Sequence, residues 1–149
     1  HDYKLFWIEE PLIPEDEVGH AMLATCGGIP IATGENFRTI HEFERMIRAQ
    51  GVMFPEPDVS NCGGITTWMK IAALAECNNL KVTSHGVHDL HVHLLAAVPN
   101  KSYLEVHGFG LEQYIGEPLV VEDGFATAPE RPGHGVVFDW DKLESMKVI

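Results

Sequence analysis

Five polar residues stand along the chain where short apolar runs end: Glu9, Glu35, Asp58, His85 and Glu105. Four are carboxylates and one is an imidazole, a set able to hold a cation and to move protons. A hard divalent ion such as Mg2+ takes oxygen ligands, with one or two carboxylates leaving room for water and substrate. Glu9 and Glu35, on adjacent strands, suit that role. An aspartate beside a histidine suits another, in which the carboxylate fixes the tautomer and the imidazole transfers a proton. Asp58 and His85 suit this dyad, and Glu105 faces the same pocket from the far side. Each residue also has a bland explanation. A glutamate at a strand end is more often a solvated charge, Asp58 after Pro57 can open a turn, and His85 can be a satisfied loop histidine. Recurrence in five successive units is the stronger signal, because the bland explanation must then hold at every position.

These groups meet only if their elements place them on one face. A buried strand is expected over 4–8, where Leu5-Phe6-Trp7-Ile8 ends at Glu9-Glu10-Pro11, with a helix over 14–25. Ile29-Pro30-Ile31-Ala32 ends at Gly34-Glu35-Asn36. Thr39-Ile40-His41-Glu42 has the capping-box pattern and opens a helix to about Ala49, with Gly51 as its stop. Gly51-Val52-Met53-Phe54 ends at Pro57-Asp58. Gly63-Gly64-Ile65-Thr66 opens a helix with Trp68, Ile71, Ala72 and Ala75 on its apolar face, closing near Asn78-Asn79. Leu80-Lys81-Val82-Thr83 ends at Ser84-His85, a helix follows over 89–97, and Ser102-Tyr103-Leu104 ends at Glu105. Strands alternating with helices predict an α/β fold with a parallel sheet and helical crossovers. In such a sheet all strand C-termini point to one face, so these ends converge. Beyond Glu105 the pattern changes to a hairpin over 118–127, turned at Asp123-Gly124, and a loop over 131–136 leading to a last short strand.

Composition narrows the partners. With 149 residues the chain is one ordinary domain, and its net charge of −12 argues against nucleic acid or an anionic membrane. No apolar run approaches the ~20 residues of a membrane span. Cys26, Cys62 and Cys77 are odd in number and lack metal-type pairing, which predicts reduced thiols and a cytoplasmic setting. His85, His88, His91 and His93 raise the thought of zinc, but His91 and His93 fall on different faces of a helix. The first strand is under way at residue 4 with nothing before it as partner, as though the chain were entered in the middle of a fold.

The wording of the strand ends adds a family likeness. Trp7-Ile8-Glu9-Glu10-Pro11, Gly34-Glu35-Asn36, Pro57-Asp58 with Gly63-Gly64-Ile65-Thr66, Ser84-His85, Tyr103-Leu104-Glu105 and Arg131-Pro132-Gly133-His134-Gly135-Val136 resemble, in order, motifs of mandelate-racemase-like enzymes of the enolase superfamily. Asp89-Leu90-His91-Val92-His93-Leu94 is similar to acid-sugar dehydratases of that group. The resemblance implies the C-terminal part of a (β/α)8 barrel, with strands four to eight in residues 1–110. Residues 111–149 would be a tail that packs back on a capping domain, and that domain and the first strands are absent. It implies Glu9 and Glu35 as two of three Mg2+ ligands, the third lying outside the chain. Asp58 and His85 become the general acid/base dyad, Glu105 the partner of an enediolate, and Asn36, His85 and Glu105 the substrate contacts. The implied reaction is Mg-dependent removal of a proton α to a carboxylate, through a metal-stabilised enediolate. Dehydration of a galactarate- or talarate-like sugar acid to a 2-keto-3-deoxy acid is the leading form. Racemisation or epimerisation of a 2-hydroxy acid on the same site is the alternative, and a non-catalytic barrel fragment or binding scaffold is the reading of a different class. The family is commonly homo-oligomeric.

Overall fold

The computed structural model describes residues 2–107 and 109–148. Three strands, β1 (Ile8–Glu9), β2 (Ile31–Thr33) and β3 (Phe54–Pro55), form a parallel sheet in that order. Every residue of β2 is buried, as expected of a parallel strand covered on both faces. The ladder continues past β3 in thinner form. Thr83 N–H donates to Pro55 O at 2.9 Å, and Val82 bridges Lys101 in parallel. Val82 N–H donates to Asn100 O at 2.9 Å, and Ser102 N–H donates to Val82 O at 2.8 Å. Successive segments thus run the same way, and the ends bearing Glu9, Glu35, Asp58, His85 and Glu105 share a face.

Helices supply the crossovers: α1 (Glu17–Cys26), α2 (Ile40–Arg48), α3 (Ile65–Cys77) and α4 (His88–Ala96). The capping box at α2 forms. The Glu42 carboxylate accepts the Thr39 N–H and the Thr39 hydroxyl, each at 2.8 Å. Phe43, Met46 and Ile47 then face inward against the buried Trp68, Ile71, Ala72 and Ala75 of α3. The i, i+3, i+4, i+7 spacing of the α3 set is the helical stripe that the sequence predicts. The fully buried Trp68 does more than fill space, since its indole N–H donates to Pro57 O at 2.9 Å, next to Asp58.

Three expectations change. The first strand is shorter than 4–8 and is not buried: Leu5 and Phe6 are more than half exposed. Phe6 and Trp7 pack edge-on with Tyr103 and tilted against Phe54, and Phe6 and Tyr103 stay more than half exposed. The fourth and fifth strands are reduced to the Val82–Lys101 bridge. The last helix starts at His88 rather than Asp89, because Val87 takes a left-handed conformation (φ 32°) that blocks earlier helical turns. After the sheet, β4 (Val121–Glu122) and β5 (Phe125–Ala126) pair antiparallel about Asp123 and Gly124, both at positive φ. That is the turn an Asp-Gly pair favours. A short helix, α5 (Trp140–Glu144), closes the tail.

Replacing the indole with a ring of similar shape isolates its hydrogen bond. Trp68→Phe leaves the Pro57 carbonyl buried without a partner, and is expected to lower unfolding free energy by about 1–3 kcal/mol in urea titrations. A loss below about 0.5 kcal/mol would mean that the carbonyl finds another donor.

Candidate active site

The carboxylates come together at the ends of β1, β2 and β3. One oxygen each from Glu9, Glu35 and Glu56 lies within 4.8 Å of the others. Glu9 is exposed, Glu35 half-buried and Glu56 only 2% exposed. Gly34, at φ +136°, makes the bend before Glu35; a Cβ there would meet the Phe43 ring at 2.5 Å. Burial and the charges of Glu9, Glu35, Glu10 and Glu105 push the Glu56 carboxyl up to about 10. Burial also raises Glu35, with Glu10, Glu9 and Glu105 adding to it and His85 opposing. Glu10 lies outside the three-oxygen group: its carboxylate accepts from Thr33 Oγ1 at 3.1 Å and Asn36 Nδ2 at 2.7 Å.

The dyad sits beside this cluster. His85 Nδ1 is 3.2 Å from Asp58 Oδ2, while its Nε2 is 3.3 Å from Glu35 Oε2. The other Asp58 oxygen is occupied by Ser60, which donates its N–H at 2.7 Å and its hydroxyl at 2.6 Å. Burial opposes charge on Asp58, but the hydrogen bonds from His85 and Ser60 prevail and hold its carboxyl below the ordinary range. The Asp58 hydrogen bond raises His85 in turn; burial opposes, and the charges of Glu35, Glu105 and Asp58 reinforce. Glu105 Oε2 accepts the Gly86 N–H at 2.5 Å, and Glu105 N–H donates to Ser84 Oγ at 3.1 Å. Its carboxylate is therefore pinned one residue from His85.

A family model described as enolase C-terminal domain-like matches residues 1–142. The chain belongs to that family. Its similar proteins are members of the mandelate racemase and enolase superfamily, sugar-acid dehydratases among them. A 3,6-anhydro-α-L-galactonate cycloisomerase of Streptomyces coelicolor is 55% identical over 146 residues, covering 98% of this chain and 40% of that protein. A racemase structure from S. coelicolor A3(2) with bound magnesium superposes with a TM-score of 0.94 at 52% identity, covering 99% of this chain and 40% of the other. An L-talarate dehydratase from Polaromonas sp. JS666, complexed with Mg and L-glucarate, gives 0.86 at 40% identity, covering 93% and 38%. The chain thus spans about two fifths of the length of the relatives it matches.

Within this enolase C-terminal domain-like chain, the strand-end residues fit a hard cation. Three carboxylates converge, and Glu56 Oε1 is buried with no hydrogen-bond partner. Among the described residues the group able to hold a cation is the Glu9, Glu35 and Glu56 set. Asn36, expected at the substrate, has its amide on Glu10 at 2.7 Å and Glu35 at 3.4 Å. Sequence reasoning missed Glu56 and Asn61. Alternation puts 54, 56 and 58 on one face of a strand, so Glu56 could have been found beside Asp58. Asn61 Nδ2 donates to Glu35 O at 2.9 Å, tying the Asp58 loop to the Glu35 turn, and no local pattern announces it.

Two titrations check these electrostatics in metal-free protein. His85 should titrate above its ordinary 6.5 by NMR, and Asp58→Asn should bring the midpoint down. His85's share of the stability is complete below pH 6.5 and is lost as pH rises through its raised folded value. Asp58's share is complete above pH 3.8 and is lost as pH falls through its lowered value, so the pair contributes most between these limits. Glu56 has the pH dependence of His85, opposite to that of Asp58. It is uncharged in the fold and ionised in the unfolded chain, so its burial costs stability increasingly as pH rises above 4.5. Glu56→Gln should melt higher than the parent at pH 7 in chelator, with the difference vanishing near the acid end; an unchanged melt at both would contradict a neutral Glu56.

Proposed function

We propose that this chain is the proton-transfer half of an enzyme that removes the proton α to the carboxylate of a sugar acid and expels the oxygen at C3. The 3.2 Å contact of His85 with Asp58, with the other ring nitrogen turned to the carboxylate cluster, is the observation that carries this reading. In this assignment residues 1–110 are strands four to eight of the (β/α)8 barrel, and residues 111–149 a tail against a capping domain. The complete protein acts as a homo-oligomer. Cys26, Cys62 and Cys77 are free thiols, which suits the cytoplasm. Among the described residues no helix is long and apolar enough to cross a membrane.

Glu9 and Glu35 would hold Mg2+, with Glu56 adjacent. When bound, the cation supplies Lewis-acid stabilisation of the charge that develops on the substrate carboxylate. The remaining work falls to this chain's own groups. Asp58 holds Nδ1 and leaves Nε2 of His85 as the atom that takes the α-proton. The same ring, once protonated, returns a proton to the departing oxygen; its raised proton affinity suits the first task, taking the proton. Glu105 faces the reacting group from its anchor on Gly86, and Asn36 lies where it can donate to a substrate hydroxyl after leaving Glu10.

If the C3 oxygen is a hydroxyl, water leaves and the product is a 2-keto-3-deoxy acid. A second form is favoured by the 55% identity to a 3,6-anhydro-galactonate cycloisomerase. There the C3 oxygen is a ring ether, and its cleavage opens the ring with no loss of water. Both forms share one proton abstraction.

Incubating the complete enzyme with sugar acids and anhydro-sugar acids in D2O distinguishes them. A keto product from an open-chain acid supports dehydration; one from an anhydro acid at unchanged mass, before deuterium is counted, supports cycloisomerisation. Deuterium exchange with inversion and no keto product would sink both in favour of racemisation. His85→Ala should lower kcat by at least ~100-fold while Mg2+ still raises the melting temperature; loss of that Mg2+ response would mean that His85 belongs to the metal site.

A further inference from the structure

His91 lies in α4 and is fully buried, and among the described residues its ring hydrogen-bonds to neither the carboxylate cluster nor His85. Its two ring nitrogens are nonetheless both used. Val59 N–H meets Nε2 at 3.0 Å, and Nδ1 meets Gly86 O at 2.6 Å. A backbone N–H can only donate and a carbonyl can only accept. Nε2 is therefore unprotonated, Nδ1 carries the hydrogen, and the ring is neutral, in keeping with burial, which holds its proton affinity below the ordinary value.

The identity of the two partners is what matters. Val59 follows Asp58 and Gly86 follows His85. We propose that His91 is a positioning residue for the dyad, its ring clamping the backbone beside Asp58 to the backbone beside His85. This deepens the proton-transfer reading and rests on it.

Three features make the clamp stiff. The ring packs beside the fully buried Trp68, at 6.1 Å between centroids, and Trp68 itself holds Pro57 O. The His91 amide donates to Val87 O at 3.1 Å, so the first turn of α4 fixes the ring's distance from Gly86. Val87, a β-branched residue at φ 32°, holds the sharp turn that aims Gly86 O at the ring. An ordinary core histidine would need partners; it would not need one on each arm of the dyad, in the loops beyond the Thr83–Pro55 ladder bond.

The test uses the complete enzyme and three variants. His91→Phe keeps a ring and removes both bonds; His91→Leu removes them with less bulk, should the larger ring prevent folding. His91→Gln offers one donor and one acceptor. We expect kcat to fall about 100-fold for Phe or Leu, the scale of a small misplacement of a reacting group. KM and the Mg2+ midpoint should stay within about twofold, and Gln should recover most of the loss. In crystals of the Phe or Leu variant the separation of His85 Nδ1 and Asp58 Oδ2 should open past about 3.5 Å. A variant that keeps the parental separation and kcat overturns the proposal. So does the absence, in the parent, of NMR coupling between the Val59 amide nitrogen and His91 Nε2. If the parent turns over no sugar acid, the proposed reaction fails, while the crystallographic separation and the coupling still decide the clamp.

Discussion

Negative charge crowded at the strand ends is the constraint to which the neighbouring residues answer. Glu9, Glu35 and Glu56 bring oxygens within 4.8 Å of one another, with Glu10 and Glu105 adding their fields. Like charges at this spacing cannot all ionise without compensation. The chain supplies it piecemeal. Thr33 and Asn36 donate to Glu10, Gly86 N–H donates to Glu105, and His85 stands against Glu35. Glu56 receives nothing on Oε1 and answers by staying neutral. A divalent cation among these oxygens would offset the repulsion at its source, which links metal binding to stability in one set of atoms.

Much of this was legible because parallel α/β folds turn a sequence pattern into a spatial one. Runs ending in Glu9, Glu35, Asp58, His85 and Glu105 could be placed on one face before any distance was known. The capping box at Thr39 and the Trp68 stripe were local signals that tertiary packing had no reason to override. The extent of the strands was not legible. The segment 4–8 has a buried strand's composition, yet burial depends on what lies on the other side of Phe6 and Tyr103, and composition carries no information about that. The fourth and fifth strands are similar: Val82 was placed in the correct unit and Lys101 falls just before the expected Ser102-Tyr103-Leu104, but how much ladder forms depends on neighbours rather than on propensity.

Glu56 and His91 show two different kinds of illegibility. Glu56 was hidden by a wrong emphasis, since the run was followed to Pro57-Asp58 while alternation with Asp58 places Glu56 inward as well. His91 was hidden by its chemistry. A histidine on a helix face announces a ligand, a base or a core residue equally well. Here its role is set by two backbone groups, Val59 N–H and Gly86 O, whose directions no side-chain pattern encodes. Asn61 belongs with it, since its partner is the carbonyl of Glu35. Residues that act on backbone leave little trace in the sequence.

The direction of the His85 ring limits what the site can do. Nδ1 is committed to Asp58, so proton transfer is left to Nε2, and Nε2 lies 3.3 Å from Glu35 Oε2. A proton source for that nitrogen must therefore sit against the carboxylate cluster. In the proposed reading Glu9 and Glu35 would hold the cation that takes a substrate carboxylate, and Nε2, beside Glu35, would be the base for the neighbouring α-proton. In the proposed reaction the choice between losing a hydroxyl, opening an anhydro ring and inverting a centre would come after that proton has left. It would depend on what is attached to C3 and on which groups stand on the opposite face of the substrate, whereas the abstraction would rest on this one imidazole and the carboxylates on either side of it.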